Sequence, residues 1–325
     1  MKIMITGIGG SAGSYLVDHI IENHPNVEIQ GMTRWHTNET NLRNIEKHLD
    51  KIKLFECDLT DFSSLIRTLQ TAKPDVIFHL ASYANVRTAF QTPLAVINNN
   101  VTLTANLFEA VHLLEINPRI LMCSTSEVYG NIRPEDVPIT ENCSTKPVSP
   151  YAVSKLTQDA LAYSYYKAYN MDIVITRMFT YTNPRRRDLF SSAFTYQIIK
   201  VENEEQKELL HGNLESVRCM IDVRDAMEAY WIAMEKCKAG EVYNIGGQII
   251  VKVSDFLEML KNKAYREIPC RLDPTLLRPI DVTLQIPNTE KFEKQTGWKA
   301  RYSLEEMIDF LLRECRKMYK NRKAI

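Results

Sequence analysis

The chain is poor in the features that mark special classes of protein. Glycine supplies only 11 of its 325 residues and proline 13, which excludes collagen and low-complexity disorder. Neither sign of charge dominates, since 40 lysines and arginines stand against 40 aspartates and glutamates. No overall field therefore draws the chain to nucleic acid or to anionic lipid. No apolar run approaches the roughly 18 residues that a membrane span requires. The first residues run straight into the apolar stretch Lys2-Ile3-Met4-Ile5-Thr6, so no secretory signal is expected. The seven cysteines (Cys57, Cys123, Cys143, Cys219, Cys237, Cys270, Cys315) are scattered and contain no C-x-x-C pair. They suggest neither a zinc or redox site nor a disulfide framework, and are expected to be reduced thiols in a cytoplasm. The seven histidines show no ligand spacing, and H-E-x-x-H is missing, which disfavours zinc chemistry.

What remains is an ordinary globular composition, 45% hydrophobic and 25% charged, in a chain about twice the length of a typical domain. The first half alternates short apolar runs with helical periods, the pattern of a parallel sheet covered on both faces. Strands are expected at Lys2 to Thr6, Val27 to Met32, Lys53 to Glu56, Val76 to Leu80, Arg119 to Ser124 and Ile173 to Arg177, with long helices from about Pro93 to Leu114 and from Pro150 to about Tyr169. The expected fold class is α/β: a Rossmann-type doubly wound parallel sheet with a smaller C-terminal substrate-binding α/β unit. Residues 1–183 would form the dinucleotide domain, with later returns near 217–245, and residues 184–325 mainly the second unit. The closing cations Arg316, Lys317, Lys320, Arg322 and Lys323 are read as complementing the end of a last helix.

Directly after the first strand comes Thr6-Gly7-Ile8-Gly9-Gly10-Ser11-Ala12-Gly13. Glycines three apart between a strand and an amphipathic helix let the backbone turn sharply and approach a pyrophosphate, which the helix N–H groups then hold. Gly7, Gly10 and Gly13 are accordingly assigned to a dinucleotide. Asp58, after the third strand, could accept from the adenine amino group, with Asp61 the better helix cap. The second strand ends in Thr33-Arg34-Trp35-His36, where a carboxylate would suit the 2′-hydroxyl of NAD. Arg34 instead favours the 2′-phosphate of NADP, with Arg43 as an assistant; NAD bound through other groups stays open.

The fifth strand ends in Ser124-Thr125-Ser126-Glu127, and the next helix opens with Ser149-Pro150-Tyr151-Ala152-Val153-Ser154-Lys155. Tyr151 and Lys155 lie four apart, hence on one helix face. An ammonium and an oxidised nicotinamide beside a phenol are expected to lower its pKa and make it a usable base. Tyr163/Lys167 and Tyr196/Lys200 share the spacing, but neither follows a strand ending in hydroxyls.

Together these residues resemble the extended short-chain dehydrogenase/reductase family over nearly the whole chain. The likeness is greatest to the branch holding GDP-mannose 4,6-dehydratase and GDP-4-keto-6-deoxymannose reductase. Its carriers are Thr6 to Leu16, His79-Leu80-Ala81-Ser82, Ser124 to Gly130, Tyr151 to Lys155, Asn183-Pro184-Arg185-Arg186, Asn213 to Arg218, Leu277 to Val282 and Gly297-Trp298-Lys299. The resemblance implies that Thr125 bonds the sugar 4-hydroxyl, Tyr151 takes its proton, and Lys155 holds the nicotinamide ribose. Glu127 would remove the C5 proton, and Arg218 would pair with the diphosphate. Arg278 and Asp281 would hold the nucleoside ribose, while Asn183 and Arg185 would belong to the nucleotide site. The reaction so implied is 4,6-dehydration of a GDP-hexose or GDP-heptose by a homodimer or homotetramer that binds neither nucleic acid nor membrane. A C4 dehydrogenase or a 4-keto-6-deoxy-sugar reductase using the same Tyr151 and Lys155 stays open, as does, more distantly, a non-catalytic dinucleotide sensor.

Overall fold

The computed structural model describes residues 1–34 and 42–323; Trp35 and His36, and the side chains of Arg322 and Lys323, lie outside the described residues. Strands β1 (Lys2–Thr6), β2 (Glu28–Thr33), β3 (Ile52–Glu56), β4 (Val76–His79), β5 (Arg119–Thr125) and β6 (Ile173–Met178) fall on the expected segments. Between and after them run helices α1 (Ser11–Asn23), α2 (Phe62–Ala72), α3 (Val86–Gln91), α4 (Pro93–Leu113), α5 (Pro150–Tyr169) and α6 (Phe190–Glu202). The remaining elements are β7 (Leu209–His211), β8 (Val217–Met220), α7 (Val223–Lys236), β9 (Val242–Ile245), β10 (Ile249–Lys252), α8 (Val253–Asn262), β11 (Cys270–Leu272), β12 (Leu284–Gln285), α9 (Glu290–Thr296) and α10 (Leu304–Lys323).

Seven strands form one parallel sheet in the order β3-β2-β1-β4-β5-β6-β9. Because successive strand residues point to opposite faces, Ile3 and Ile5 of β1 pack with α1 and α7 while Met4 packs with α2, α4 and α5. Both faces are covered, which is why these strands read as unbroken apolar runs. The strand order reverses between β1 and β4, opening a crevice at their carboxyl ends where such sheets bind ligands.

Local chemistry fixes the helices that border this crevice. Asp61 caps α2, accepting from the amides of Ser63 and Ser64. Ser149 caps α5 through the Ala152 amide at 3.1 Å, Pro150 occupies its first turn, and Asn170 ends it with φ 54°. That places Tyr151 and Lys155 in the first two turns of α5, both buried.

The later segments divide between two bodies. Near 217–245, α7 and β9 return to the central sheet, whereas β8 joins β10 and β12 in a separate three-stranded sheet. α6, α8 and α10 bury a second apolar cluster with Met220 and Val251 of that sheet. Arg316 of α10 pairs with Glu202 of α6 at 2.6 Å, so this cation ties two helices together instead of serving its own helix end. Among the described residues no helix is long and apolar enough to cross a membrane.

Candidate functional site

The turn after β1 is built from glycine for steric reasons. Gly7 has φ 70°, and its carbonyl accepts from the Gly10 amide at 2.9 Å. A Cβ on Gly10 would stand 2.9 Å from the Gly7 carbonyl oxygen, and one on Gly13 would stand 2.5 Å from that oxygen and 2.9 Å from Ile8 Cα. Gly10 caps α1 without a side-chain acceptor, and no acidic residue occupies the first turn. The open N–H groups of α1 therefore face the crevice with their positive end unanswered, as an anion such as a pyrophosphate requires. Thr6 Oγ1 accepts from the amides of Leu80 and Ala81, each at 3.1 Å, which locks the end of β4 to this turn. The residues present thus fit a dinucleotide.

Further out, Arg34 Nη1 lies 3.3 Å from the Tyr83 hydroxyl, with its guanidinium 5.7 Å from the ring centre. Asp58 uses Oδ1 to accept from the Thr60 amide and hydroxyl at 2.9 and 2.7 Å. Arg43 is exposed.

At the end of β5, Thr125 Oγ1 accepts from the Glu127 amide at 3.3 Å, and its hydroxyl also meets the phenol of Tyr151. Lys155 donates to the Cys123 carbonyl, and burial pulls its pKa down to about 8. Burial pushes the phenol of Tyr151 up to about 12. Arg186 pulls against that rise, Glu127 adds to it, and the Thr125 hydroxyl opposes it. The reason is desolvation, because the side chain is 8% exposed. Behind Lys155, Asp159 pairs with Arg177 at 3.0 Å, both buried. The other two pairs of the same spacing stand elsewhere. Lys167 lies over the exposed ring of Tyr163, and the Tyr196 hydroxyl donates to the Pro184 carbonyl.

The C-terminal unit faces this cluster with Arg218 of β8. It is buried, donates to the Val217 carbonyl at 3.2 Å and to the Val282 carbonyl, and feels Glu127, Arg278 and Asp281. Arg278 lies 3.7 Å from Asp281, which also accepts from Asn213 at 3.3 Å. Asn183 is fully buried, and its Oδ1 accepts from the Arg185 amide at 3.0 Å.

The Arg185 guanidinium pairs with Asp18 of α1 at 2.6 Å and stacks 3.9 Å from the ring centre of Tyr15. The neighbouring Arg186 is the one that reaches Tyr151. Sequence reasoning also missed Gln285, a buried residue of β12 in register with Arg218, whose Nε2 lies 3.5 Å from Glu127 Oε1. Arg186 stood in a basic turn already singled out, so the signal existed but not the choice between neighbours. Gln285 carried none.

The family model for GDP-mannose 4,6 dehydratase matches residues 4–311. The chain belongs to the GDP-mannose 4,6 dehydratase family. Its membership makes it an enzyme of the extended short-chain dehydrogenase/reductase type. One relative in this family, the GDP-mannose 4,6-dehydratase sdnI of Sordaria araneosa, is 29% identical over 329 residues. That match covers 94% of this chain and 59% of the relative, so the chain spans less than two thirds of that relative's length. The RMD protein of Pseudomonas aeruginosa complexed with NADPH superposes with a TM-score of 0.84 at 23% identity, covering 98% of this chain and 99% of that one. The dTDP-glucose 4,6-dehydratase of Bacillus anthracis in complex with NAD gives 0.82 at 23% identity, covering 98% of each chain. These two likenesses establish the fold of this family member.

Proposed function

We propose that the protein is a GDP-sugar 4,6-dehydratase, acting on a mannose-type hexose or a heptose through a 4-keto intermediate. The observation that carries this reading is the position of Glu127, which is close enough to Tyr151 to affect its ionisation and is flanked by Arg218 and Gln285. Tyr151 takes the proton of the 4-hydroxyl while Thr125 orients that hydroxyl. The resulting ketone acidifies the hydrogen on C5; Glu127 takes that proton and hands it to the departing 6-hydroxyl, which leaves as water, and a solvent proton restores C5 while Tyr151 releases its own proton to solvent. When bound, the nicotinamide cofactor supplies the place where the C4 hydride is kept until it returns to C6. Gly7, Gly10 and Gly13 would hold its pyrophosphate, Asp58 its adenine, and Lys155 its nicotinamide ribose. Arg218 would take the substrate diphosphate, with Asn183 nearby and Arg278 and Asp281 on the ribose. Residues 1–183 with α7 and β9 thus serve the dinucleotide, and residues 184–325 mainly the nucleotide sugar, in a cytoplasmic enzyme.

A dehydratase returns its cofactor unchanged. Mixing the cofactor-loaded protein with excess GDP-mannose should therefore leave the nicotinamide absorbance at its starting value after product has formed. Net, stoichiometric reduction would favour the C4 dehydrogenase, and turnover that consumes added NADPH would favour the reductase.

NADP is favoured over NAD because Arg34, held by Tyr83, stands at the end of β2 where a 2′-phosphate would need a cation. Arg34→Ala should weaken NADP by about tenfold, or about 1.4 kcal/mol, and NAD much less. Equal losses in fluorescence titrations would remove the reason for preferring NADP.

The assembly we propose is a homodimer or homotetramer formed through α4 and α5. These helices pack on one another and also leave Leu94, Val153 and Tyr163 exposed, at 72%, 39% and 51%. Light scattering at micromolar concentration should give a multiple of 37.5 kDa; a strictly monomeric mass would count against the pairing.

A further inference from the structure

The basic turn after β6 gives its two neighbouring arginines different partners. Arg185 is spent on Asp18 of α1. Arg186 donates from Nη2 to the Ala84 carbonyl at 2.7 Å, and its Nε and Nη2 meet the two carboxylate oxygens of Asp188 at 3.2 and 3.3 Å. Ala84 belongs to the small apolar cluster that Tyr151 forms with Ala89 and Val96. A guanidinium tied from two sides is therefore fixed beside a buried phenol.

The cation four residues along α5 from Tyr151 is directed elsewhere. Lys155 directs its ammonium at the Cys123 carbonyl and shares its field with Asp159, one helical turn further along α5. Its pKa of about 8 means that it begins to lose its proton in the mildly alkaline range. A guanidinium stays protonated throughout that range.

We propose that Arg186 is a positioning residue that stabilises the phenolate of Tyr151 and so sets how readily this side chain accepts the proton of the substrate hydroxyl. The inference rests on reading Tyr151 as the base. In the step concerned, the O–H bond of the 4-hydroxyl breaks and an O–H bond forms on Tyr151, so the phenolate must exist, or nearly exist, beforehand. The groups that face it are Thr125 and Glu127 from the end of β5, Tyr181 and Arg186 from the segment after β6, and Tyr230 from α7, with Lys155 four residues further along its own helix. Of the side chains acting on Tyr151 in this structure, Arg186 exerts the largest pull toward ionisation, and Glu127 opposes it.

The test uses the full-length protein labelled throughout with 3-fluorotyrosine, whose fluorine resonance follows phenol ionisation and whose electron-withdrawing ring brings the titration to lower pH. The resonance lost in Tyr151→Phe identifies the residue. In Arg186→Gln that resonance should titrate at least about one pH unit higher than in the unmodified sequence, and Arg186→Lys should restore most of the difference. The acid limb of the pH profile for formation of the dehydrated product from GDP-mannose should move in the same direction. An unmoved resonance in folded Arg186→Gln, with or without a raised KM, would overturn the proposal and leave the arginine a substrate contact or a loop tether. Should Arg186→Gln fail to fold, Asp188→Asn decides, because release of the counter-charge should lower the titration, and an unchanged value counts against it. If the resonance moves as expected but no GDP-sugar yields a dehydrated product, the arginine's role stands and the dehydratase reading fails.

Discussion

Replacing Glu127 by glutamine should arrest the reaction after oxidation at C4. The two side chains are nearly isosteric, so the contact with Gln285 and the burial around Arg218 change little, and the nucleotide sugar should still bind. What is lost is a group able to take the C5 proton, a loss of about 10²- to 10⁴-fold in the rate of elimination. The bound cofactor should therefore become reduced and stay reduced, with no dehydrated sugar released. Tyr151→Phe should lose both events, because the hydride cannot leave C4 while the 4-hydroxyl keeps its proton. If Glu127→Gln made the dehydrated product at the full rate, another base would have to be found. Gln285 cannot serve, since an amide takes up no proton in this range.

Gly10→Val should have the second large effect, on cofactor affinity. A Cβ at Gly10 would already press within 2.9 Å of the Gly7 carbonyl oxygen, and the rest of the valine side chain would stand at the mouth of α1, over the amides that a pyrophosphate needs. Binding should weaken by roughly 100-fold, about 2.8 kcal/mol, as read by fluorescence titration of the folded variant. Full affinity would mean that the dinucleotide does not lie over this turn. Gly13→Val would be a poorer probe, because a Cβ there would meet the backbone of Gly7 and Ile8 and disturb folding as well as binding.

Much of the central sheet was legible because its signals are local. The limits of β1 agree with the sequence reading residue for residue and those of α5 closely, set by an unbroken apolar run in one case and by Ser149-Pro150 and Asn170 in the other. The spacing of Tyr151 and Lys155 likewise follows from one helix. What escaped depends on the chain folding back on itself. Strand β12 is two residues long and exists only because β8 accepts it, so nothing near Gln285 announces that it will lie opposite Glu127. Arg185 and Arg186 are equivalent in sequence, and their different fates were decided by Asp18 on α1 and by the Ala84 carbonyl, both more than a hundred residues away. The burial of Tyr151 is of the same kind, since it comes from the packing of α3 and α4 around the phenol.

The central claim is that this site removes water from a GDP-sugar with no net oxidation or reduction. It is tested most directly by the mass of the product formed from GDP-mannose by the protein and catalytic cofactor, with no reductant or oxidant added. The account predicts a nucleotide sugar lighter by one molecule of water, formed in many-fold excess over the cofactor. A product lighter or heavier by two hydrogens, formed only in proportion to cofactor supplied, would contradict it.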